Sequence, residues 1–247
     1  MTPAVLLLHG FTHTGASWDP VVTALGESYR AIAPDIRGHG TASGAEPVTL
    51  AAVIADVDAL GPDRFTLVGY SMGGRLALHA ALALPERVER LVLIGASPGI
   101  ADRTERGDRQ RADDALAAEI ERSSIENFAV RWARTPVLAG LPDDVRARTH
   151  ADRLRSTPAG LARALRGLGT GALPPLWDRL GELRAPVTLV VGERDRKFEA
   201  IADRMKGEIQ DAEVRVVAGA GHAAHLEAPA QVAAILARGR RRCSDVR

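Results

Sequence analysis

Ser71 stands in a residue pattern that can make a serine hydroxyl reactive. The pattern is Gly-x-Ser-x-Gly over residues 69–73, between an apolar, strand-like run at 65–68 and a helix-like stretch at 72–84. A turn this tight between a strand and a helix needs small residues on both sides of the serine. It also leaves the serine hydroxyl exposed at the end of a sheet. The chain has 24 glycines, so the spacing alone is weak. The flanking strand and helix favour a nucleophilic serine over a structural Ser/Gly turn.

A serine hydroxyl is a weak nucleophile at neutral pH and needs a base beside it, and an imidazole base needs a carboxylate to fix its orientation. Asp195 directly follows the apolar run at 187–191, and His222 follows the next run at 214–217. This order of serine, acid and histidine along the chain occurs in one class of serine enzymes. The sequence therefore predicts a Ser71–His222–Asp195 triad.

Two members of this predicted triad have competitors nearby. Glu193 is a second carboxylate in the same loop, and Asp195 is also suited to cap the N-terminus of a following helix. His225 follows His222 by three residues and is an alternative that would only orient the loop. Glycines at 219 and 221 favour His222 as the base because they let the loop project its ring. The histidines at 13, 39, 79 and 150 are expected to be loop, helix or surface residues.

Negative charge that develops on a substrate oxygen near Ser71 needs two backbone N–H donors. Met72 follows the serine and is the expected source of one donor. The residues His9-Gly10-Phe11 come directly after the first apolar run and resemble the His-Gly motif of enzymes with this triad order. The resemblance makes the N–H of Phe11 the expected second donor. Residues 35–40 resemble another recurrent loop of the same fold.

Short apolar runs alternate with helical patterns, which is typical of a parallel sheet covered by helices on both faces. The predicted strands cover residues 5–8, 30–33, 65–68, 91–94, 187–191 and 214–217, and the predicted helices cover 20–25, 50–60, 72–84, 201–210 and 229–238. The order of elements and the serine turn predict an α/β-hydrolase fold with a mostly parallel, six- or seven-stranded sheet. The leading hairpin common in this fold is expected to be absent or replaced.

Residues 102–168 interrupt this alternation. They contain charged, amphipathic helical patterns and no clear strand, with breaks at Pro136, 140–142 and 157–160. An insertion just beyond the carboxyl ends of two strands lies over the ligand crevice of an open α/β sheet. We therefore expect a helical lid over 102–168 on a core formed by 1–101 and 169–247.

Composition narrows the class of protein. The net charge of +1 gives no reason to expect nucleic-acid binding, and the basic cluster at 238–242 is expected to be a solvated tail. The early apolar run at 4–8 is too short for a signal peptide or a membrane span. The single cysteine, Cys243, excludes a disulfide framework and a Cys-based metal site. The sequence predicts a cytoplasmic enzyme.

No cofactor is expected. The chain has no cluster of cysteines or histidines at ligand spacing, so it offers no metal site. Its glycine-rich segments do not match a dinucleotide-binding fingerprint or a phosphate-binding loop.

The chain resembles the 2-succinyl-6-hydroxy-2,4-cyclohexadiene-1-carboxylate synthases, lyases of the menaquinone pathway with an α/β-hydrolase fold. The general resemblance runs from His9 to about Pro229 and is shared with many α/β-hydrolases. The narrower marks are residues 69–75 (GYSMGGR), 97–100 (SPGI), 109–111 (RQR), 154–156 (LRS) and 192–198 (GERDRKF), with Trp132 and Pro136-Val137. Residues 112–127 and 163–180 carry no such mark.

The resemblance implies an elimination instead of a hydrolysis. The family's substrate is a succinyl-substituted cyclohexene that carries a ring carboxylate and an enolpyruvyl ether. A ring proton next to a carbonyl is removed, and pyruvate leaves. By the resemblance, Ser71 would be the base, sensitised by His222 and Asp195, and the amides of Phe11 and Met72 would hold anionic character in the substrate.

The resemblance also implies a set of substrate contacts. Arg75, Arg109 and Arg155 would pair with the substrate carboxylates, while Tyr70, Trp132 and Lys197 would contact the pocket or shape it. Arginine suits this role because its planar fork binds a carboxylate through two hydrogen bonds. Ser71 and Arg75 share a helix face at spacing i, i+4. Arginines are frequent in 102–168, however, so each of these side chains also has an ordinary solvated alternative.

Other functions fit the same triad. The main alternative is a carboxylesterase or carbon–carbon bond hydrolase that acts on a small acidic substrate through a serine nucleophile. A haloperoxidase-like perhydrolysis and a non-catalytic ligand-binding member of the fold are further alternatives. In each enzymatic case the expected partner is a small molecule, anionic for the lyase, with no membrane or nucleic acid. The chain is expected to be a monomer or a weak homo-oligomer.

Overall fold

The computed structural model describes residues 2–135, 138 and 140–238, and the structural statements below concern these residues. The sequence mark at Pro136-Val137, the basic tail beyond Arg238 and Cys243 lie outside this set. None of the helices in the described part of the chain is long and apolar enough to cross a lipid bilayer.

The described residues form one six-stranded sheet in which every neighbouring pair of strands is parallel, in the order β2-β1-β3-β4-β5-β6. The strands are β1 (Ala4–Leu8), β2 (Arg30–Ile32), β3 (Phe65–Tyr70), β4 (Val88–Ile94), β5 (Val187–Gly192) and β6 (Ala212–Val217). The predicted fold class is confirmed. Strand β4 begins three residues before the predicted start because the charged residues Glu89 and Arg90 interrupt its apolar pattern.

In the described part of the chain, ten α-helices connect or cover the strands. They are α1 (Asp19–Leu25), α2 (Leu50–Leu60), α3 (Met72–Ala83), α4 (Arg103–Glu121), α5 (Ile125–Trp132), α6 (Asp143–Arg153), α7 (Pro158–Leu168), α8 (Arg196–Glu208), α9 (Ala224–Glu227) and α10 (Pro229–Arg238). Helices α2 and α10 have the predicted bounds. Helix α8 begins five residues before the predicted start, since Asp195 caps it and its first turn is polar. The short helix α9 was not predicted.

The core has two apolar layers, one on each face of the sheet. Leu6 and Leu67 face the layer that contains α2, α3 and α8, while their neighbours Leu7 and Val68 face the layer that contains α1 and α10. This alternation follows from the two-residue period of a strand. Strands β1, β3 and β5 are almost entirely buried, as expected for parallel strands covered on both faces.

The segment between β4 and β5 contains α4, α5, α6 and α7. A third apolar cluster, which includes Ala117, Phe128 and Leu161, joins α4, α5 and α7 to one another. The segment also contacts loops that follow the strands: the side chain of Asp152 accepts a hydrogen bond from the amide of Thr14 at 2.9 Å. These helices therefore lie at the carboxyl end of the sheet, the end at which Ser71 lies.

Candidate active site

Ser71 lies in a strained turn between β3 and α3. Its φ is 51° and its ψ is −109°, a left-handed conformation that side chains rarely adopt. A Cβ atom added to Gly69 would overlap the backbone carbonyl of Gly73, and one added to Gly73 would overlap the carbonyl of Leu8. The two glycines are therefore required by close backbone packing, as the sequence pattern predicts for a serine turn of this kind.

The side chains of Ser71, His222 and Asp195 form a connected chain. The Nδ1 atom of His222 lies 2.7 Å from Oδ2 of Asp195, and its Nε2 atom lies 3.3 Å from Oγ of Ser71. The other carboxylate oxygen of Asp195 accepts a hydrogen bond from the amide of Phe198 at 3.4 Å and caps α8. Asp195 thus fills both roles that the sequence left open, helix cap and partner of the imidazole.

The two loops that carry Asp195 and His222 are tied together by a carboxylate that sequence reasoning missed. Glu227 accepts hydrogen bonds from the amide of Gly221 at 3.0 Å and from the guanidinium of Arg194 at 2.6 Å. Gly221 precedes His222, and Arg194 precedes Asp195. We call this arrangement of Glu227, Gly221 and Arg194 the loop clasp. No pattern in a single sequence marks Glu227, because its partners are a backbone amide and a residue 33 positions away.

The competing residues lie elsewhere. Glu193 accepts a hydrogen bond from the amide of Gly219 at 2.8 Å and does not contact the imidazole of His222. His225 is fully buried, with its ring centre 4.2 Å from that of Tyr70 and 4.5 Å from that of Trp18. Burial holds the pKa of His225 well below its usual value. His225 is therefore a neutral packing residue beneath the site.

The predicted amide donors both border the space next to Ser71. Met72 begins α3, where the N–H groups of the first turn lack acceptors within the helix and the helix dipole is positive. Phe11 also lines the cavity, and its loop is anchored because the Nε2 atom of His9 accepts a hydrogen bond from the amide of Ile36 at 2.9 Å. Burial lowers the pKa of His9 to about 4, so the ring is neutral and can accept this bond at neutral pH.

A cavity of about 430 Å³ opens over Ser71 and His222. It is bounded by the sheet edge on one side and by α4, α5 and α7 on the other. Of the predicted site residues, it is lined by Phe11, Ser71, Met72, Arg75, Arg109, Trp132, Lys197 and His222. Only Asp195, Tyr70 and Arg155 are not on its wall.

The cavity carries two guanidinium groups. Arg75 is 7% exposed, and burial, with the charge of Arg109, lowers its pKa to about 10. It therefore keeps its charge at neutral pH. Arg109 is half-exposed and donates a hydrogen bond from Nε to Oδ1 of Asp113 at 2.8 Å. Within the described residues, no group of three or more histidine, cysteine, aspartate or glutamate side chains is placed to hold a metal ion.

Tyr70 and Arg155, two of the residues predicted to contact the substrate, do not line this cavity. Tyr70 is buried, and its ring packs against the rings of His222 and His225. The two-residue period of β3 turns it to the face of the sheet that holds α1 and α10. Arg155 lines a separate cavity of about 320 Å³ with Arg148.

Another arginine, Arg153, contacts the loop that carries Phe11 and, like Arg155, does not line the cavity over Ser71. Its side chain is fully buried, and Nε donates to Oγ1 of Thr12 at 3.3 Å. Its two terminal nitrogens have no hydrogen-bond partner among the described residues. Arg153 is the last residue of α6, whereas Arg155 lies in the turn that follows the helix and lines the other cavity. The sequence did contain a helical pattern that indicates the burial of Arg153. Val145, Thr149 and Arg153 recur every four residues and form the buried face of α6.

A second missed residue is Trp177, in the stretch 163–180 that carried no sequence mark. Trp177 lines the cavity, and its Nε1 atom donates to the carbonyl oxygen of Gly99 at 3.0 Å. The guanidinium of Arg204 lies over its outer face, 3.8 Å from the ring centre. Trp177 is thus a fixed wall of the cavity that belongs to the core and not to residues 102–168.

Comparisons with known proteins extend over nearly the whole chain. A model of the alpha/beta hydrolase family matches residues 5–235. The chain is 39% identical over 236 residues to a Bacillus subtilis (strain 168) protein provisionally named 2-succinyl-6-hydroxy-2,4-cyclohexadiene-1-carboxylate synthase, with 92% of this chain and 86% of the relative aligned. It is 33% identical to the synthase of that name from Escherichia coli O1:K1 / APEC, with 95% and 92% aligned. Among solved structures, MenH from S. aureus superposes with a TM-score of 0.89 at 30% identity, covering 96% of this chain and 92% of that one.

Proposed function

Because the chain belongs to the α/β-hydrolase family and, within it, to the 2-succinyl-6-hydroxy-2,4-cyclohexadiene-1-carboxylate synthases, we propose that it is a carbon–oxygen lyase of menaquinone biosynthesis. Its substrate would be an enolpyruvyl succinyl-cyclohexene carboxylate, from which it eliminates pyruvate. One observation carries the proposal: the hydroxyl of Ser71, hydrogen-bonded to His222, opens into a cavity that also holds Arg75 and Arg109. A neutral ester has no charge for these arginines to pair.

The elimination needs a base and a site for negative charge. His222 takes the hydroxyl proton of Ser71 at Nε2, while Asp195 fixes the ring through Nδ1. The oxygen of Ser71 then removes the ring proton next to the substrate carbonyl, and the amides of Phe11 and Met72 stabilise the enolate oxygen. When the carbon–carbon double bond forms, the carbon–oxygen bond of the enolpyruvyl ether breaks. The leaving oxygen takes the proton held at Nε2 of His222, so the enol form of pyruvate leaves and the imidazole is neutral again. No covalent bond to Ser71 is required.

The substrate carries several carboxylates, and we assign them to arginines. Arg75 and Arg109 line the cavity, and each guanidinium can bind a carboxylate through two hydrogen bonds. Arg153 replaces Arg155 as the third cation in this proposal. Its support is the pair of terminal nitrogens without partners beside the Phe11–Thr12 loop, since a buried cation without an acceptor is costly.

Residues 102–168 would act as a lid on a core formed by 1–101 and 169–247. The support is that α4, α5 and α7 contribute Arg109, Trp132 and Leu165 to the cavity wall opposite Ser71. A lid that excludes water protects an activated intermediate from side reactions. We further propose that the enzyme works in the cytoplasm as a monomer or a weak homo-oligomer.

The decisive experiment compares two reactions on one protein preparation. Pyruvate release from the enolpyruvyl substrate is followed with a coupled assay, and hydrolysis is measured on a panel of short neutral and acidic esters. We expect pyruvate release to dominate by orders of magnitude and to disappear in Ser71→Ala. Ester hydrolysis without pyruvate release would reject the lyase.

The same experiment addresses a second candidate, a carboxylesterase or carbon–carbon bond hydrolase. The observation in its favour is the contact of 3.3 Å between Ser71 Oγ and His222 Nε2, which suits nucleophilic attack as well as proton abstraction. A hydrolase would form an acyl-enzyme, and mass spectrometry after a rapid quench would detect the added mass on Ser71. The lyase would show no such adduct.

A further inference from the structure

Asp113 is a buried carboxylate that the proposed mechanism does not use. It lies on α4 with its side chain 6% exposed, one turn after Arg109. Oδ1 accepts the hydrogen bond from Arg109 Nε at 2.8 Å. Oδ2 has no hydrogen-bond partner among the residues that the structure describes. A buried carboxylate oxygen without a donor is costly.

A complementary atom without a partner occurs on the core side of the same cavity. The Nε atom of Arg75, on α3, is buried and has no hydrogen-bond acceptor in the described part of the chain. Arg75 and Arg109 both line the cavity. A Cβ added to Gly169, which also lines the cavity, would lie 2.8 Å from Oδ2 of Asp113. The unpaired oxygen is therefore close to the cavity wall.

The three charges act on one another. The charge of Arg109 lowers the pKa of Arg75 and the charge of Asp113 raises it, after the larger lowering effect of burial. Two guanidinium groups in one cavity repel, and long arginine side chains are free to separate. A carboxylate that bonds to both would hold their outer nitrogens in place for the carboxylates of a ligand.

We propose that Asp113 is a positioning residue for both substrate arginines. Its Oδ1 fixes Arg109, and its Oδ2 accepts the Nε–H of Arg75 when an anionic ligand is bound and α4 settles against the core. Asp113 itself does not touch the ligand. The proposal rests on the proposed function only in that the cavity binds a ligand with more than one carboxylate.

The test uses 2-succinylbenzoate, an aromatic dicarboxylate with a succinyl side chain, as a stable ligand. Its dissociation constant is measured by calorimetry on the wild type, Asp113→Asn, Asp114→Asn, Arg75→Lys and the double variant Arg75→Lys/Asp113→Asn. Asparagine keeps an acceptor for Arg109 but turns an NH₂ group toward Arg75. Asp114 is the exposed neighbour on the same helix, and its substitution makes the same change in net charge.

We expect Asp113→Asn to weaken binding roughly five- to a hundredfold, the range for leaving a buried polar group unsatisfied. Asp114→Asn should stay within about twofold. The effect of Asp113→Asn should largely vanish in the Arg75→Lys background, because lysine has no Nε–H at that position.

The opposite sign would overturn the proposal. If Asp113 only repelled the anionic ligand, Asp113→Asn would bind it more tightly. Unchanged binding, an equal loss in both Arg75 backgrounds, or no binding to the wild type at millimolar ligand would also reject it. Failure of the proposed function looks different: the wild type would bind 2-succinylbenzoate with the expected variant pattern and yet release no pyruvate from the enolpyruvyl substrate.

Discussion

The edge of the sheet and the helical segment 103–168 hold their functional side chains by different means. At the sheet edge, the tight turn holds Ser71 in a strained backbone conformation. The loop clasp joins the two loops that carry Asp195 and His222. In the helical segment, Arg109 is half-exposed and is held by one carboxylate. The groups proposed for chemistry are therefore rigidly placed by backbone, whereas those proposed for recognition depend on side-chain contacts between two layers.

Both apolar packing and polar contacts connect these regions. Asp152 accepts from Thr14, the hydroxyl of Ser156 accepts from the amide of Gly40 at 3.0 Å, and Arg163 donates to the carbonyl of Ser43 at 2.7 Å. Polar contacts of this kind can exchange with water at modest net cost. The comparison predicts that substitutions at the sheet edge lower turnover, while those in the helical segment change affinity for the substrate.

The largest effect is expected at the triad. Ser71→Ala and His222→Ala should each lower kcat by roughly 10⁴- to 10⁶-fold, because the members of a triad act as a unit. Thermal unfolding should stay close to that of the wild type, since both side chains face the cavity. His150→Ala, in the helical segment, is the matched control and should keep its activity. Turnover near the wild-type value in Ser71→Ala would refute the assignment of the serine.

The second largest effect is expected for Arg75→Ala. It should lower kcat/KM for the multi-carboxylate substrate by the equivalent of about 2–5 kcal/mol, the range for removing one partner of a buried charge pair. Arg109→Ala should cost less, because Arg109 is half-exposed. Neither variant should change hydrolysis of a neutral ester by much. Equal losses on anionic and neutral substrates would mean that the arginines support the fold.

As the pH falls, the free energy of unfolding should decrease first through buried histidines near the sheet edge and not through the helical segment. Burial lowers the pKa of His9 to about 4 and that of His39 to about 3, from a usual value near 6.5. The unfolded chain therefore binds protons that the folded chain does not, so the free energy of unfolding should fall as pH decreases from 6.5 toward 4. We expect a loss on the order of 2–4 kcal/mol between pH 7 and pH 5, measured by urea unfolding. A flat profile over this range would contradict the burial of both rings as neutral groups.

The loop clasp should give a smaller effect on catalysis. Glu227→Ala leaves the amide of Gly221 and the guanidinium of Arg194 without their acceptor, which should lower kcat by about ten- to a hundredfold with little change in KM. Arg194→Ala removes only the ion pair, whose arginine is largely exposed, and should cost less. Glu182→Ala, at an exposed pair with Arg179, is the control. A change in KM alone would show that Glu227 does not act through His222.

The smallest effect is expected at Arg155. Because it lines the second cavity, Arg155→Ala should change kcat/KM by less than about 0.5 kcal/mol.

Arg153→Ala, in contrast, should raise KM strongly. Arg153→Lys should restore KM only in part, since lysine lacks the planar fork. A large loss in Arg155→Ala with a silent Arg153→Ala would reverse the assignment and return the third carboxylate contact to Arg155.

The parts of the site that sequence could predict are those fixed by local geometry. The serine turn follows from Gly69 and Gly73, and Asp195 and His222 each come shortly after a strand, so chain order and strand pattern were enough to bring them to one edge. Residues whose role depends on packing were not predictable in this way. Choosing Arg153 over Arg155 requires the buried face of α6, and the face of Tyr70 requires the direction in which β3 turns its side chains.

Other residues were missed because their partners are distant in the chain. Glu227 bonds to Arg194, and Trp177 bonds to Gly99, and neither pair has a local pattern. Asp113 is obscured by composition, since α4 is rich in acids and arginines and only its packing distinguishes a buried carboxylate from an exposed one.

The size of the cavity can change at Trp177 without any change in the helices that cover the site. Trp177 forms a wall of the cavity from the core, held by Gly99 on its edge and by Arg204 on its outer face. Replacing it with leucine would enlarge the cavity from below without touching any of the helices of 103–168. A single substitution at this position, made in the laboratory or arising in evolution, could therefore let the enzyme bind bulkier acids. The arginines and the serine turn would stay as they are.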